Sequence, residues 1–176
     1  MPDASLEFDL PNSGATEALG AALARTFLDA GPGAGAARGA VVHLHGELGS
    51  GKTTCARSLL HALGVTGTVR SPTYTLVDTY NLPNLNCVHV DLYRISSSAE
   101  AEELGLRDLT GPGYLMLIEW PEKGGAAVPP ADLDLELKYV GEARAASVRA
   151  ANDVGRRWLA KLSLDSSLVP YVSNLT

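Results

Sequence analysis

HLHGELGSGKTTCARSLL, running from His43 to Leu60, contains the spacing G-x-x-x-x-G-K-[ST] as Gly46, Glu47-Leu48-Gly49-Ser50, Gly51, Lys52 and Thr53. The apolar run before it, Ala40–His45, predicts a strand, and Lys52 to Leu63 predicts a helix stopped at Gly64. A strand that feeds a glycine-rich turn and then a helix suits phosphate binding. Glycine permits backbone conformations that a Cβ penalises, so successive N–H groups can turn inward on phosphate oxygens. The helix N-terminus adds the positive end of its dipole. Lys52 is then placed to reach the β- and γ-phosphates, and Thr53 to set its hydroxyl on Mg²⁺. Gly46, Gly49, Gly51, Lys52 and Thr53 are the loop's candidate binding residues.

The bulk properties narrow what such a loop can serve. A chain of 176 residues is long enough for one domain with a proper core. Hydrophobic residues at 45% and charged residues at 19% describe a soluble globular protein. The longest clean apolar run, Tyr114–Ile118, falls far short of the ~20 residues that span a bilayer. The opening MPDASLEFDL has neither a basic n-region nor an apolar h-region. Cys55 and Cys87 lack metal-like spacing and fit reduced thiols, so a cytoplasmic location is expected. A net charge of −6 argues against a chain that grips nucleic acid by itself.

Working outward, Leu6, Phe8 and Leu10 alternate with polar residues as a half-buried strand. Asn12 or Ser13 caps a helix whose apolar face is Ala15, Leu19, Ala22, Leu23, Thr26 and Phe27. Gly31 to Gly39 is a Gly/Ala-rich loop. Arg70–Tyr80 reads as a proline turn leading into a strand, and turn-rich Asn81–Asn86 predicts a hairpin onto the strand Cys87–Asp91. A short acidic helix follows in AEAEELGL, then the buried strand Tyr114–Glu119. Gly124–Asp132 reads as a linker, and Asp132–Val140 and Ala145–Ala150 as strands. A helix near Asp153–Leu162 closes a single domain of residues 1–162, and residues 163–176 form a tail that is a candidate for poor order. The fold class is α/β: a P-loop NTPase-like three-layer sandwich around a mixed, mostly parallel central sheet.

Two strands end in a carboxylate, Asp91 and Glu119. Groups beyond the carboxyl ends of such strands converge on the ligand, where they hold Mg²⁺ or orient water. Spacing alone does not decide which of the two does the metal work. Ser71-Pro72-Thr73 reads either as a turn at a strand entrance or as the place where nucleotide hydrolases keep a γ-phosphate sensor, which makes Thr73 a catalytic candidate. Trp120 suits either core packing or a partner surface. His43, His45 and His89 read as structural histidines. No N-K-x-D guanine motif exists, and the D-x-x-G at Asp108–Gly111 reads as a helix stop, so the expected nucleotide is ATP.

Gly-x-Leu-Gly-x-Gly-Lys-Thr-Thr, then Ser-Pro-Thr-Tyr-Thr-Leu-Val, His-x-Asp-Leu-Tyr-Arg and Ile-Glu-Trp-Pro-Glu, in that order, resemble the TsaE (YjeE) family. The resemblance implies a small ATPase, weak alone, that serves threonylcarbamoyladenosine formation in tRNA with the partners TsaB and TsaD. It implies that Gly49, Ser50, Gly51, Lys52, Thr53 and Thr54 bind phosphates. It also implies that Thr53 and Glu119 coordinate Mg²⁺, with Asp91 supporting catalysis. Ser13 falls where the family places an adenine contact. The family carries an arginine just after a C-terminal glycine, whereas here Gly141 precedes Glu142; either Arg144 takes over or the contact is missing.

Two other readings stand beside this one. A small-molecule kinase also pairs a phosphate loop with a short chain, although no arginine-rich lid is visible. A nucleotide-dependent binding module would bind ATP with hydrolysis incidental.

Overall fold

A computed structural model describes residues 4–29 and 39–173. The period-two and apolar runs form seven strands: β1 Ser5–Leu10, β2 Ala40–His45, β3 Val77–Leu82, β4 Leu85–Asp91, β5 Tyr114–Glu119, β6 Leu133–Val140 and β7 Ala143–Ala150. They make one sheet in the order β1-β7-β6-β2-β5-β4-β3. The four middle strands, β6, β2, β5 and β4, pair in parallel. Antiparallel neighbours finish both sides, β3 on one, β7 and then β1 on the other. The continuous apolar run of β5 follows from its central place, since a parallel strand is covered on both faces.

Four helices are α1 Ser13–Leu28, α2 Lys52–Leu63, α3 Ser98–Glu102 and α4 Asp153–Leu162. The larger core joins α1, α2 and α4 to the face of β2 that carries Val42 and Leu44. A smaller core on the other face gathers Val41, Val88, Met116 and Ile118 beneath α3 and the turn after β5. These are the three layers. Asn12 caps α1, its side chain accepting from the Ala15 N–H at 3.0 Å. A Cβ on Gly20 would stand 2.4 Å from the Cys55 carbonyl oxygen, so this glycine sets how closely α1 approaches α2. Trp158 fixes α4 on α1 by donating its ring N–H to the Leu23 carbonyl and the Thr26 hydroxyl, both at 3.1 Å.

Several local expectations change. The β3–β4 turn is shorter than the Asn81–Asn86 run, because Asn81 and Leu82 pair with Asn86 and Leu85. Gly124–Asp132 is no free linker: Ala127 and Ala131 are buried, and the Asp132 carboxylate accepts from the Val41 N–H at 2.7 Å. Residues 163–173 are packed rather than loose. They form a 3-10 turn over Ser166–Tyr171, bury Leu168 and bridge Val172 to Phe8. The Gly/Ala-rich loop lies outside the described residues except for Gly39. Asp108–Gly111 ends a 3-10 turn ahead of the N-terminal end of β5, at the opposite end of the sheet from the glycine-rich loop Gly46–Gly51.

Candidate active site

The loop from Gly46 to Gly51 joins the carboxyl end of β2 to α2. Gly46 takes φ 140°, and a Cβ there would meet the Leu137 carbonyl at 2.4 Å and the Ser50 hydroxyl at 2.5 Å. No other residue fits that turn without displacing β6. Lys52 is buried, with its Nζ donating to the Gly46 carbonyl at 2.6 Å and the Glu47 carbonyl at 2.8 Å. The ammonium also lies 4.2 Å from the centre of the Trp120 ring. Burial lowers its pKa, and the Glu119, Asp91 and Glu122 charges oppose that shift. Ser50 Oγ is buried without a protein partner. A buried ammonium and an orphaned hydroxyl at one loop favour an anion.

Asp91 and Glu119 stand side by side, because β4 and β5 pair in register at those two residues. Both are buried. The Thr53 hydroxyl, at the start of α2, lies 2.9 Å and 3.0 Å from the two Glu119 oxygens and donates to them. Asp91 Oδ2 accepts from the Ser71 hydroxyl and, at 3.3 Å, from the Thr73 hydroxyl, while Oδ1 accepts from the Tyr93 N–H at 2.8 Å. The two carboxylates therefore have different duties here: Glu119 meets the loop helix, and Asp91 holds the Ser71–Thr73 segment.

Two clefts flank the loop. One, of about 270 Å³, is lined by Lys52, Thr53, Thr73, Asp91, Glu119 and Trp120 among others. The other, of about 140 Å³, is lined by Ser13, Thr16, Gly49, Ser50, Thr54 and Arg144 among others. Arg144 donates to the carbonyls of Glu142 and Ala143 at 3.0 Å and of Gly49 at 3.3 Å, and stacks 4.0 Å from the centre of the Tyr139 ring. The strand register thus brings Arg144 to the loop despite its displacement from Gly141. All the candidate residues gather at the clefts except Gly46, which shapes the loop from behind.

Three participants were not legible as such. His89 is buried on the site side of β4, and its Nε2 lies 2.8 Å from Glu119 Oε1. The signal was the i, i+2 spacing to Asp91, which puts both side chains on one face of the strand. Trp120 covers Lys52 from a left-handed backbone conformation, φ 59°, which a bulky residue adopts only under constraint. Tyr139 donates its hydroxyl to the Leu48 carbonyl at 2.9 Å and so ties the loop to β6.

A family model described as Threonylcarbamoyl adenosine biosynthesis protein TsaE matches residues 10–147. The chain belongs to the TsaE family. The TsaE protein of Haemophilus influenzae, named a tRNA threonylcarbamoyladenosine biosynthesis protein, is 40% identical over 123 residues, covering 70% of this chain and 78% of that one. The Bacillus subtilis protein of the same name is 36% identical over 104 residues, covering 59% of this chain and 65% of its own. The crystal structure of Bacillus subtilis YdiB matches with a TM-score of 0.73 at 26% identity, over 93% of this chain and 97% of that one. The TsaE match begins at the cleft residue Leu10 and passes both carboxylates and Arg144. It leaves out α4 and the packed C-terminal turn.

Proposed function

We propose that this chain is an Mg²⁺-dependent ATPase of the tRNA threonylcarbamoyladenosine machinery, weak alone and acting with the TsaB–TsaD pair. One arrangement carries the reading. The Thr53 hydroxyl rests on the Glu119 carboxylate at the mouth of a glycine loop whose lysine is buried. Inward N–H groups of the loop, Ser50 Oγ and Lys52 Nζ would receive the phosphates, which satisfies the orphaned hydroxyl. Thr53 and Glu119 would hold Mg²⁺, with Asp91 one strand away. When bound, Mg²⁺ supplies neutralisation of phosphate charge.

The remaining work belongs to the chain itself. Asp91 keeps Ser71 and Thr73 beside the phosphate end of the cleft, where a hydroxyl or carboxylate can orient an attacking water. Ser13 and Arg144 line the neighbouring cleft, which suits the base and ribose. The missing guanine motif favours adenine. A kinase would close arginines over the phosphates; among the described residues lining the two clefts, Arg144 is the arginine, and loop carbonyls engage it. The names of the relatives place those proteins in tRNA modification, and a net charge of −6 leaves the grip on tRNA to the partners. Among the described residues, no helix is long and apolar enough to cross a membrane.

Repeated rounds of tRNA modification by the purified pair test the proposal. Wild-type chain with ATP should sustain them, and Glu119→Gln should not. Equal support from both would overturn the hydrolytic role.

A further inference from the structure

On the face of β2 that carries Val41, away from the nucleotide clefts, two histidines project toward one aspartate. His43 and His45 alternate outward on β2, and Asp134 stands on β6, in register with His43. One nitrogen or oxygen from each of the three lies within 4.8 Å of the others. Asp134 Oδ1 is 2.9 Å from His45 Nε2 and 3.6 Å from His43 Nδ1. Ligand atoms around a tetrahedral zinc, with bonds of ~2.0–2.1 Å, stand roughly 3.3 Å apart. The two spacings to Asp134 lie within a few tenths of an ångström of that value.

The outer ring nitrogen of His43 is held as well. His43 Nε2 lies 2.8 Å from the Pro129 carbonyl oxygen. A carbonyl only accepts, so the proton sits on Nε2 and the Nδ1 lone pair faces Asp134. His45 Nε2 donates to Asp134 Oδ1 at 2.9 Å, and an ion would take the place of that proton, while the Glu122 carboxylate stands 3.6 Å from Nδ1, beyond hydrogen-bond reach. An imidazole oriented from behind by a carbonyl, as His43 is, is a usual support of metal-binding histidines.

We propose that His43, His45 and Asp134 bind one divalent transition-metal ion through two imidazole nitrogens and a carboxylate oxygen, with a fourth position open to water. Two nitrogen donors suit zinc and its neighbours, and do not suit magnesium or calcium, which take oxygen. This site is therefore chemically separate from Thr53 and Glu119. The three side chains are 15%, 33% and 24% exposed, so an ion reaches them from solvent. His45 directly precedes Gly46, whose carbonyl accepts from Lys52 Nζ. A bound ion would thus stiffen the strand end from which the phosphate loop departs.

The test is titration of the full chain with Zn²⁺, read by competition with a chromophoric chelator, and with Co²⁺, read by its visible absorption. One equivalent of Zn²⁺ should bind, and Co²⁺ should give the intense absorption of a tetrahedral site. His43→Ala and Asp134→Asn should each weaken binding by ~10–100-fold, whereas Thr53→Ala should leave it unchanged. His43→Gln keeps a donor for Pro129 and serves where alanine disturbs folding, with circular dichroism as the check. Weak, non-stoichiometric zinc, equal binding in the His43 and Asp134 variants, or loss in Thr53→Ala would overturn the site. The three side chains would then form only the ion pair of His45 with Asp134.

Discussion

Thr53 and Glu119 join the first turn of α2 to the end of β5: the hydroxyl lies 2.9 Å from one carboxylate oxygen and 3.0 Å from the other. His89 holds the first of those oxygens from the far side at 2.8 Å. The carboxylate is thereby aimed at the loop by a strand neighbour and a helix neighbour together.

Glu119→Gln preserves shape and removes charge. Turnover should fall on the order of 10²-fold, the usual effect of losing one preorganised electrostatic group. Calorimetry should show ATP binding that Mg²⁺ no longer strengthens. Wild-type turnover in this variant would move the metal role to Asp91.

Lys52→Ala removes the only buried ammonium among the described residues and should weaken ATP binding by ~2–4 kcal/mol. Wild-type binding should also change the fluorescence of Trp120, because phosphate draws Lys52 off the ring that lies 4.2 Å away. Only two tryptophans exist, and Trp158 is buried in the α1–α4 contact. A Trp120→Phe variant should therefore lose the signal. Its persistence there would refute the assigned movement.

Much of this site was readable in the chain. The phosphate loop and the two strand-terminal carboxylates follow from local spacing and strand periodicity. Ser13 and Arg144 instead came from resemblance, and the register of β1, β7 and β6 is what carries them to the loop. A lone histidine on an apolar strand, as His89 is, gives no local hint of its partner, which lies 30 residues away. The packed C-terminal turn escaped for a similar reason. Its anchors, Arg25 to Asp165 and Phe8 to Val172, are contacts distant in sequence that no short-range pattern encodes.

That turn makes a stability prediction. Leu168→Ala should cost ~2–4 kcal/mol, as for other buried leucines. Burial pushes the Asp165 carboxyl up, but hydrogen bonds from Ser167 and Arg25 bring it below its ordinary 3.8. A depressed value contributes stability that is present above the unfolded pKa and lost as pH falls through the folded one. Asp165→Asn should thus lower the melting temperature at pH 7, by less than about 1 kcal/mol of stability because Arg25 is half exposed. The gap to wild type should close as pH falls below 3.8. A constant gap across that range would contradict the assignment.

The thiols give a simpler check. Burial pushes Cys55 up to about 12, helped by the Glu119 charge, and Cys87 up to about 11. Neither should react with a thiol-specific reagent at pH 8 in the native protein, and both should react on unfolding. Rapid native labelling of either would disprove their burial.

Steady-state ATP hydrolysis by the purified chain, alone and with the TsaB–TsaD pair, tests the central claim most directly. Slow Mg²⁺-dependent turnover alone and clear acceleration by the pair is the predicted result. Turnover that ignores the pair would contradict an ATPase that serves the tRNA-modifying machinery.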